Sequence, residues 1–177
     1  MFNALAEAAY MTGLERNGDV VEFASYAPLL AKIGNTQWNP DLIYFDNKAV
    51  YPTVNYYVQQ LFSVNKGNMY FENIITHQDK KNKELASSCV QDLKTGDVIL
   101  KLVNPSAETT TMTVDLKPFK RIFSDAVLTV FSGDKDAENT KDKNLVLPVR
   151  SDFKATRVFD YKLPAYSIAV IRIKTKK

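Results

Sequence analysis

The sequence predicts a mostly β protein: an antiparallel β-sandwich, jelly-roll-like, preceded by a helical segment that contains one strand. Three observations lead there. The first sixty-odd residues carry apolar side chains at helical spacing around one short apolar run. From Met69 onward the apolar period becomes two. Turn-forming clusters then divide the remainder into seven short runs, the punctuation of a sandwich. The change of period divides the chain into 1–66 and 67–177.

Asn3 to Arg16 is rich in Ala, Leu, Met and Glu, all strong helix formers. Its apolar residues spread around the circumference, so this helix expects neighbours on more than one side. Asn17-Gly18 stops it. A second helix is predicted from Asp19, with Glu22 completing an acidic capping box, through Val20, Val21, Phe23 and Ala24 to Leu29 and Leu30. Pro28 should bend or break it, and Gly34-Asn35 ends it. Leu42-Ile43-Tyr44-Phe45 has the length and composition of a strand buried on both faces. A helix from Thr53 to Val64 follows, closed by Lys66-Gly67-Asn68. Helix, helix, strand, helix is the pattern at the tail of an α/β barrel or sheet.

Seven strands are predicted beyond it: Tyr70 to Thr76, Leu85 to Asp92, Val98 to Val103, Thr109 to Leu116, Ala126 to Phe131, Phe153 to Tyr161 and Tyr166 to Lys174. In the last of these Ala169, Ile171 and Ile173 share one face, while Ile168 and Val170 lie on the other with Arg172 and Lys174. Residues 133–144 are almost wholly polar and read as an exposed loop.

Apolar residues are 45% of the 177 and charged residues 24%, the balance of a globular protein. The formal charge is +3. Its basic groups, Lys80-Lys81-Lys83 and Lys174-Lys176-Lys177, are not interleaved with aromatics, which argues against nucleic acid as a partner. No apolar run reaches the roughly 18 residues of a membrane span, so no membrane partner is expected. Cys89 is alone, which excludes an intrachain disulfide. The opening residues lack a basic region and read straight into a helix, unlike a signal peptide. A chain that opens inside a helix is expected of a piece of something longer. Composition leaves the compartment open.

The helical part carries recognisable blocks. Ala4-Leu5-Ala6-Glu7-Ala8-Ala9-Tyr10-Met11-Thr12-Gly13-Leu14-Glu15-Arg16-Asn17 resembles the helix after the nucleophile strand in glycoside hydrolase family 51 α-L-arabinofuranosidases. Asp19-Val20-Val21, Ala24 to Leu30, Trp38 to Asp46 and Tyr56 to Ser63 continue the likeness in order, and Leu163 to Ile168 resembles the family's closing segment. The resemblance implies the end of a (β/α)8 barrel, with Leu42 to Phe45 as its last strand, followed by the C-terminal sandwich. It implies a parent that removes terminal α-L-arabinofuranosyl groups from arabinan or arabinoxylan with retention. Retention needs two carboxyl groups about 5–5.5 Å apart. The family's acid/base sits in an Asn-Glu pair, a dipeptide this sequence lacks, and its nucleophile would lie before residue 1. No catalytic residue is therefore assigned, and the chain alone is expected to be inactive.

The resemblance places the loop of Trp38, Asn39 and Asp41 near the sugar pocket of the intact enzyme, making Trp38 and Asn39 the candidate substrate-side residues. An indole can stack on a furanose ring, and an amide can bond a hydroxyl. Glu7 and Glu15 do not replace the missing pair, since eight helical residues separate them by about 12 Å along the axis; they read as a solvated edge or partners for Arg16. Asp46 and Asn47 read as turn residues. His77 is the only histidine and reads as a surface residue at a strand end, with no second ligand for a metal. Cys89 reads as a small buried residue. No Gly-rich phosphate loop or other cofactor motif is present.

Three functions compete at this level. The first is an accessory and structural domain whose partner is the rest of the catalytic barrel. The second is an independent carbohydrate-binding module for arabinose-containing oligosaccharides, using Tyr56, Tyr57, Tyr70, Phe71, Tyr161 and Tyr166 as a platform. The third is an interaction protein whose apolar helices drive homo-oligomerisation with another copy.

Overall fold

The architecture was established from a computed structural model that describes residues 1–79, 81–144 and 146–176. Lys80 and Lys177, members of the two basic groups, lie outside the described residues. Helix α1 spans Phe2–Arg16 and α2 spans Val54–Val64. Three short strands lie between them: β1 (Leu30–Lys32), β2 (Ile43–Phe45) and β3 (Val50–Pro52). The remaining strands are β4 (Met69–Tyr70), β5 (Ile75–His77), β6 (Ala86–Gln91), β7 (Val98–Asn104), β8 (Thr110–Asp115), β9 (Ile122–Ser132), β10 (Asn139–Thr140), β11 (Lys143–Asn144), β12 (Val149–Lys154), β13 (Val158–Leu163) and β14 (Ser167–Thr175).

The centre is a six-stranded antiparallel sheet in the order β12-β9-β14-β7-β6-β4. A three-stranded sheet, β13-β8-β5, covers one face and makes the sandwich. The interior between them holds Val98, Leu100, Leu102, Met112, Val114, Leu116, Ala169, Ile171 and Ile173. Helices α1 and α2 cover the other face. There Ala4, Leu5, Ala8, Val58, Leu61 and Phe62 meet Val90, Ile99, Val103, Phe131, Ile168 and Val170. β7 and β14 are thus apolar on both sides, and every residue of β7 is buried. That is why the last strand reads as two apolar rows rather than one.

The predicted helix from Asp19 does not form. The chain leaves α1 through turns, runs irregularly to Pro28 and forms β1, which pairs in parallel with β2. Pro28 has no N–H to give a helix, while its carbonyl accepts Leu42 N–H and that of Leu29 accepts Ile43 N–H. Pairing with a distant strand outweighs the local propensity of this segment. The single predicted strand, Leu42 to Phe45, is accordingly the middle of a three-stranded sheet, β1-β2-β3; Leu42 is buried, but Ile43–Phe45 are half-buried, not buried on both faces.

Two predicted strands are each divided. Tyr70–Thr76 becomes β4 and β5, separated at Asn73, whose φ of 59° turns the chain from one sheet into the other. Phe153–Tyr161 becomes the end of β12 and most of β13, separated at Ala155–Arg157, again a crossing between sheets. Period two holds on both sides of such a corner, so alternation alone does not reveal it. The polar loop 133–144 contains the small hairpin β10-β11. Asn139 is buried there, exchanging two hydrogen bonds with the Val146 backbone at 2.8 and 3.0 Å.

The helical and sandwich parts meet closely. Gly67 leaves α2 against β6, and a Cβ at this position would lie 2.6 Å from Val90 Cβ and 2.9 Å from the Gln91 carbonyl. α2 starts at Thr53, whose hydroxyl accepts Tyr56 N–H and donates to the Leu42 carbonyl at 2.8 Å, fixing the helix to the strand before it.

Candidate functional site

The Trp38–Tyr44 segment is held by its own side chains. Tyr44 hydroxyl donates to Asn39 Oδ1 at 2.7 Å and accepts the Asp41 backbone N–H at 2.9 Å. The carboxamide oxygen of Asn39 is thereby committed to the loop, and its amide nitrogen is the group left to donate to another partner. Asn39 and Pro40 border a cleft of about 650 Å³ between the β1-β2-β3 unit, the start of α1 and the loop 135–141. Tyr44, Tyr51 and Asn55 line it together with Lys135, Asp136, Glu138 and Lys141. Trp38 is 70% exposed beside this loop and is not among the residues that line the cleft.

Asp41 is the polar residue that stands out. It is only 3% exposed, and its Oδ2 is buried with no hydrogen-bond partner among the described residues. A buried carboxylate oxygen without a donor is costly, so a group that donates to it gains unusually by doing so. Tyr26 lies in the same neighbourhood. Burial raises its phenol pKa, as do the negative charge of Glu7 and the nearness of Tyr44 and Asp41.

Glu7 faces α2, where Asn55 and Gln59 both donate to its carboxylate. Burial raises its pKa, and those two hydrogen bonds oppose the rise. Glu15 points the other way, into the six-stranded sheet. Its Oε1 lies 2.6 Å from Lys101 Nζ and its Oε2 accepts Ser88 Oγ–H at 2.5 Å. Neither glutamate pairs with Arg16, which reaches Tyr70 hydroxyl and the Ser87 carbonyl instead. The two carboxylates serve separate surroundings and do not form a facing pair.

Asp46 caps the β2–β3 turn: its Oδ1 accepts the N–H groups of Lys48 and Ala49 at 2.8 and 3.0 Å. Its Oδ2 takes Tyr51 hydroxyl at 2.9 Å and Lys141 Nζ at 3.1 Å. Those donors hold its pKa well below the usual carboxylate range. His77 is half-buried, with Nε2 3.0 Å from Ser87 Oγ, and burial with the Arg16 charge lowers its pKa. Cys89 is buried and its thiol is pushed up to about 12 by desolvation, which makes it a packing residue. Among the described residues, no group of three His, Cys, Asp or Glu side chains is placed to hold a metal, and no helix is long and apolar enough to cross a membrane.

The tyrosines do not form one platform. Tyr161 packs on the sandwich interior, whereas Tyr57, Tyr70 and Tyr166 pack on the helical face. The cleft contributors Tyr44, Tyr51, Asn55 and the 135–141 loop escaped the sequence reading, because nothing in spacing brings residues some ninety positions apart to one rim. Asp41 was named with the 38–41 loop, but its burial was not foreseen.

These elements define an accessory β-sandwich module with an α/β unit fixed to its back. The chain belongs to the α-L-arabinofuranosidase C-terminal domain family, whose model matches residues 1–167. A probable α-L-arabinofuranosidase A from Aspergillus oryzae is 39% identical over 175 residues, 97% of this chain and 26% of the relative. An extracellular exo-α-L-arabinofuranosidase from Streptomyces chartreusis is 59% identical over 66 residues, 37% of this chain and 8% of that protein. An arabinose-bound family 51 α-L-arabinofuranosidase superposes with a TM-score of 0.90 at 34% identity, covering 98% of this chain and 27% of that one. The Thermotoga maritima α-L-arabinofuranosidase, solved as an arabinose complex, shares the fold at a TM-score of 0.76 and 12% identity over 96% of this chain and 38% of that chain. The chain therefore spans about a quarter of the length of the curated relatives it matches.

Proposed function

We propose that this chain serves as the C-terminal accessory domain of a longer α-L-arabinofuranosidase, completing and bracing its catalytic barrel. The parent would hydrolyse terminal non-reducing α-L-arabinofuranosyl groups of arabinan or arabinoxylan with retention. The observation that carries this reading is the unfinished state of the α/β unit. β1 and β2 are a parallel pair with β1 at a free edge, an arrangement that belongs inside a larger covered sheet. Leu29 and Leu30 at that edge are exposed, as are Phe2 and Tyr10 on α1 and Val20 and Phe23 in the segment between α1 and β1, Phe23 by 84%. So many large apolar side chains exposed in and next to the α/β unit suit docking against a further element. In this reading the 38–41 loop faces the sugar pocket, Trp38 and Asn39 touch substrate, and the chain alone does not hydrolyse it.

The test is co-expression with the catalytic part of the Aspergillus oryzae relative, truncated before the matched quarter. The expected result is a co-purifying complex that hydrolyses a chromogenic α-L-arabinofuranoside, while neither piece does so alone. Turnover by the isolated chain, or failure of the two to associate, would count against the reading. In isolation the same apolar surface should make the chain self-associate, which light scattering across concentration would show.

The cleft supports a second reading, a module that binds arabinose-containing oligosaccharides by itself. Tyr44, Tyr51, Asn39 and Asn55 converge on a space large enough for a sugar unit. Calorimetric titration with arabino-oligosaccharides decides it: no heat at millimolar ligand ends the idea.

A further inference from the structure

Six strands in one sheet face three in the other, and the mismatch leaves a recess. β13, the edge of the smaller sheet, lies across β7 and β14. β9 and β12 therefore project beyond it. The register of these two strands puts Leu128, Val130, Val149 and Ser151 on the same inner face as Ala126 and Phe153. Ala126 is buried near the corner where β12 turns into β13, and Phe153 packs there on Phe159 and Tyr161. Further along, Leu128 and Val130 are half-buried and Val149 is 65% exposed. That stretch is the floor of the recess.

The free edge of β13 is its wall. Arg157 carbonyl accepts Leu116 N–H, so the alternation of an antiparallel pair turns the backbone groups of Phe159, Tyr161 and Leu163 toward β8. The N–H and C=O groups of Val158, Asp160 and Lys162 turn outward; none has a backbone partner among the described residues, and the Val158 carbonyl alone accepts a side-chain donor, the Thr156 hydroxyl at 2.8 Å. An unpaired edge beside an apolar floor invites strand pairing, which native proteins control by covering it.

We propose that this recess takes one extended β-strand from the remainder of the parent polypeptide, pairing with β13 and laying alternate apolar side chains on Leu128, Val130 and Val149. The proposal rests on the reading of the chain as part of a longer arabinofuranosidase. About three quarters of the length of the Aspergillus oryzae relative lies outside the matched region and can supply such a segment. The outer face of the wall sets its charge pattern: Asp160 and Lys162 call for a cation opposite the first and an anion opposite the second. A second copy does not fit. Antiparallel edge-to-edge pairing of two β13 strands turns about an axis perpendicular to the sheet, which drives both overhanging β9–β12 ledges into one gap. A single strand, spaced about 4.8 Å from its neighbour, has room.

The test adds short overlapping peptides, tiling the unmatched part of the Aspergillus oryzae relative, to the folded chain and follows amide exchange of Val158, Asp160 and Lys162. One window with alternating apolar residues should slow all three by at least about tenfold. Val149→Lys, an exposed edge substitution checked for folding by circular dichroism, should abolish the slowing. Unchanged exchange with every peptide, or slowing that survives V149K, overturns the proposal. A catalytic part that binds and restores hydrolysis while the three amides still exchange as in the free chain also overturns it, and leaves the accessory-domain reading standing.

Discussion

The central sheet is covered on both faces, and the two coverings rest on different physics. On the sandwich face, strand meets strand, and the middle inward positions of β7 and β14 are aliphatic: Val98, Leu100, Leu102, Ala169, Ile171 and Ile173, with the buried polar pair Asn104 and Ser167 at one end. On the helical face the same β7 presents Ile99 and Val103 with Lys101 between them, and Lys101 is fully buried. Its ammonium lies 5.2 Å from the centre of the Phe62 ring and is neutralised by Glu15, eighty-six residues earlier on α1. Burial lowers the Lys101 pKa and the Glu15 charge opposes that. A purely aliphatic interface lets a helix settle in several orientations; one buried charge requires Glu15 above it and so fixes how α1 lies on the sheet. Strands need no such device, because their ladder hydrogen bonds already set the register.

The sharpest way to break this comparison is to remove the helix's half of the pair. Glu15→Ala leaves Lys101 buried without a counter-charge and should destabilise the chain by about 3–5 kcal/mol, read from urea denaturation. Replacing both, as Glu15→Leu with Lys101→Met, should recover most of that loss while leaving α1 free to shift. If E15A costs less than about 1 kcal/mol, the pair is not the fastening described.

A gentler substitution asks whether the two faces share one cooperative unit. Ile168 and Ile171 are both fully buried on β14, one on each face. Ile168→Val and Ile171→Val should each cost about 1 kcal/mol and lower a single common transition. Two separate transitions, one sensitive to each substitution, would show that the helical layer melts independently of the sandwich.

The contrast also explains what could be read beforehand. The sandwich was legible because period two is a local signal: Met112, Val114 and Leu116 against Thr111, Thr113 and Asp115 declare a face without knowledge of any partner. The corners at Asn73 and Ala155–Arg157 were not legible, since a strand that changes sheets keeps its alternation. β1 was missed because its conformation comes from pairing with residues 43–45, and the buried Lys101–Glu15 pair was not legible because its two members lie on different elements. Of the candidate site, the Trp38–Asp41 loop was found through its resemblance. The cleft needed the fold, since its far rim at 135–141 reaches it through long-range packing, as in the Lys141–Asp46 ion pair.

The smallest expected effect lies where the two coverings meet. His77 on β5 belongs to the sandwich and Arg16 to α1, and they converge on Ser87: the imidazole Nε2 is 3.0 Å from its hydroxyl, while the guanidinium donates to its carbonyl. Burial first and the Arg16 charge second lower the His77 pKa below its ordinary 6.5. The unfolded chain therefore binds this proton more readily than the folded one. The stabilisation from a neutral His77 is complete above pH 6.5 and is lost as the pH falls through that value toward the lower folded pKa. As the only histidine, His77 gives unambiguous imidazole resonances in a proton NMR titration. Its midpoint should lie below 6.5, and Arg16→Gln should move it upward without abolishing the burial contribution. A midpoint at the ordinary value, or one indifferent to R16Q, would mean that the end of α1 does not rest on the sandwich edge in solution, and the two faces would then meet only through the sheet between them.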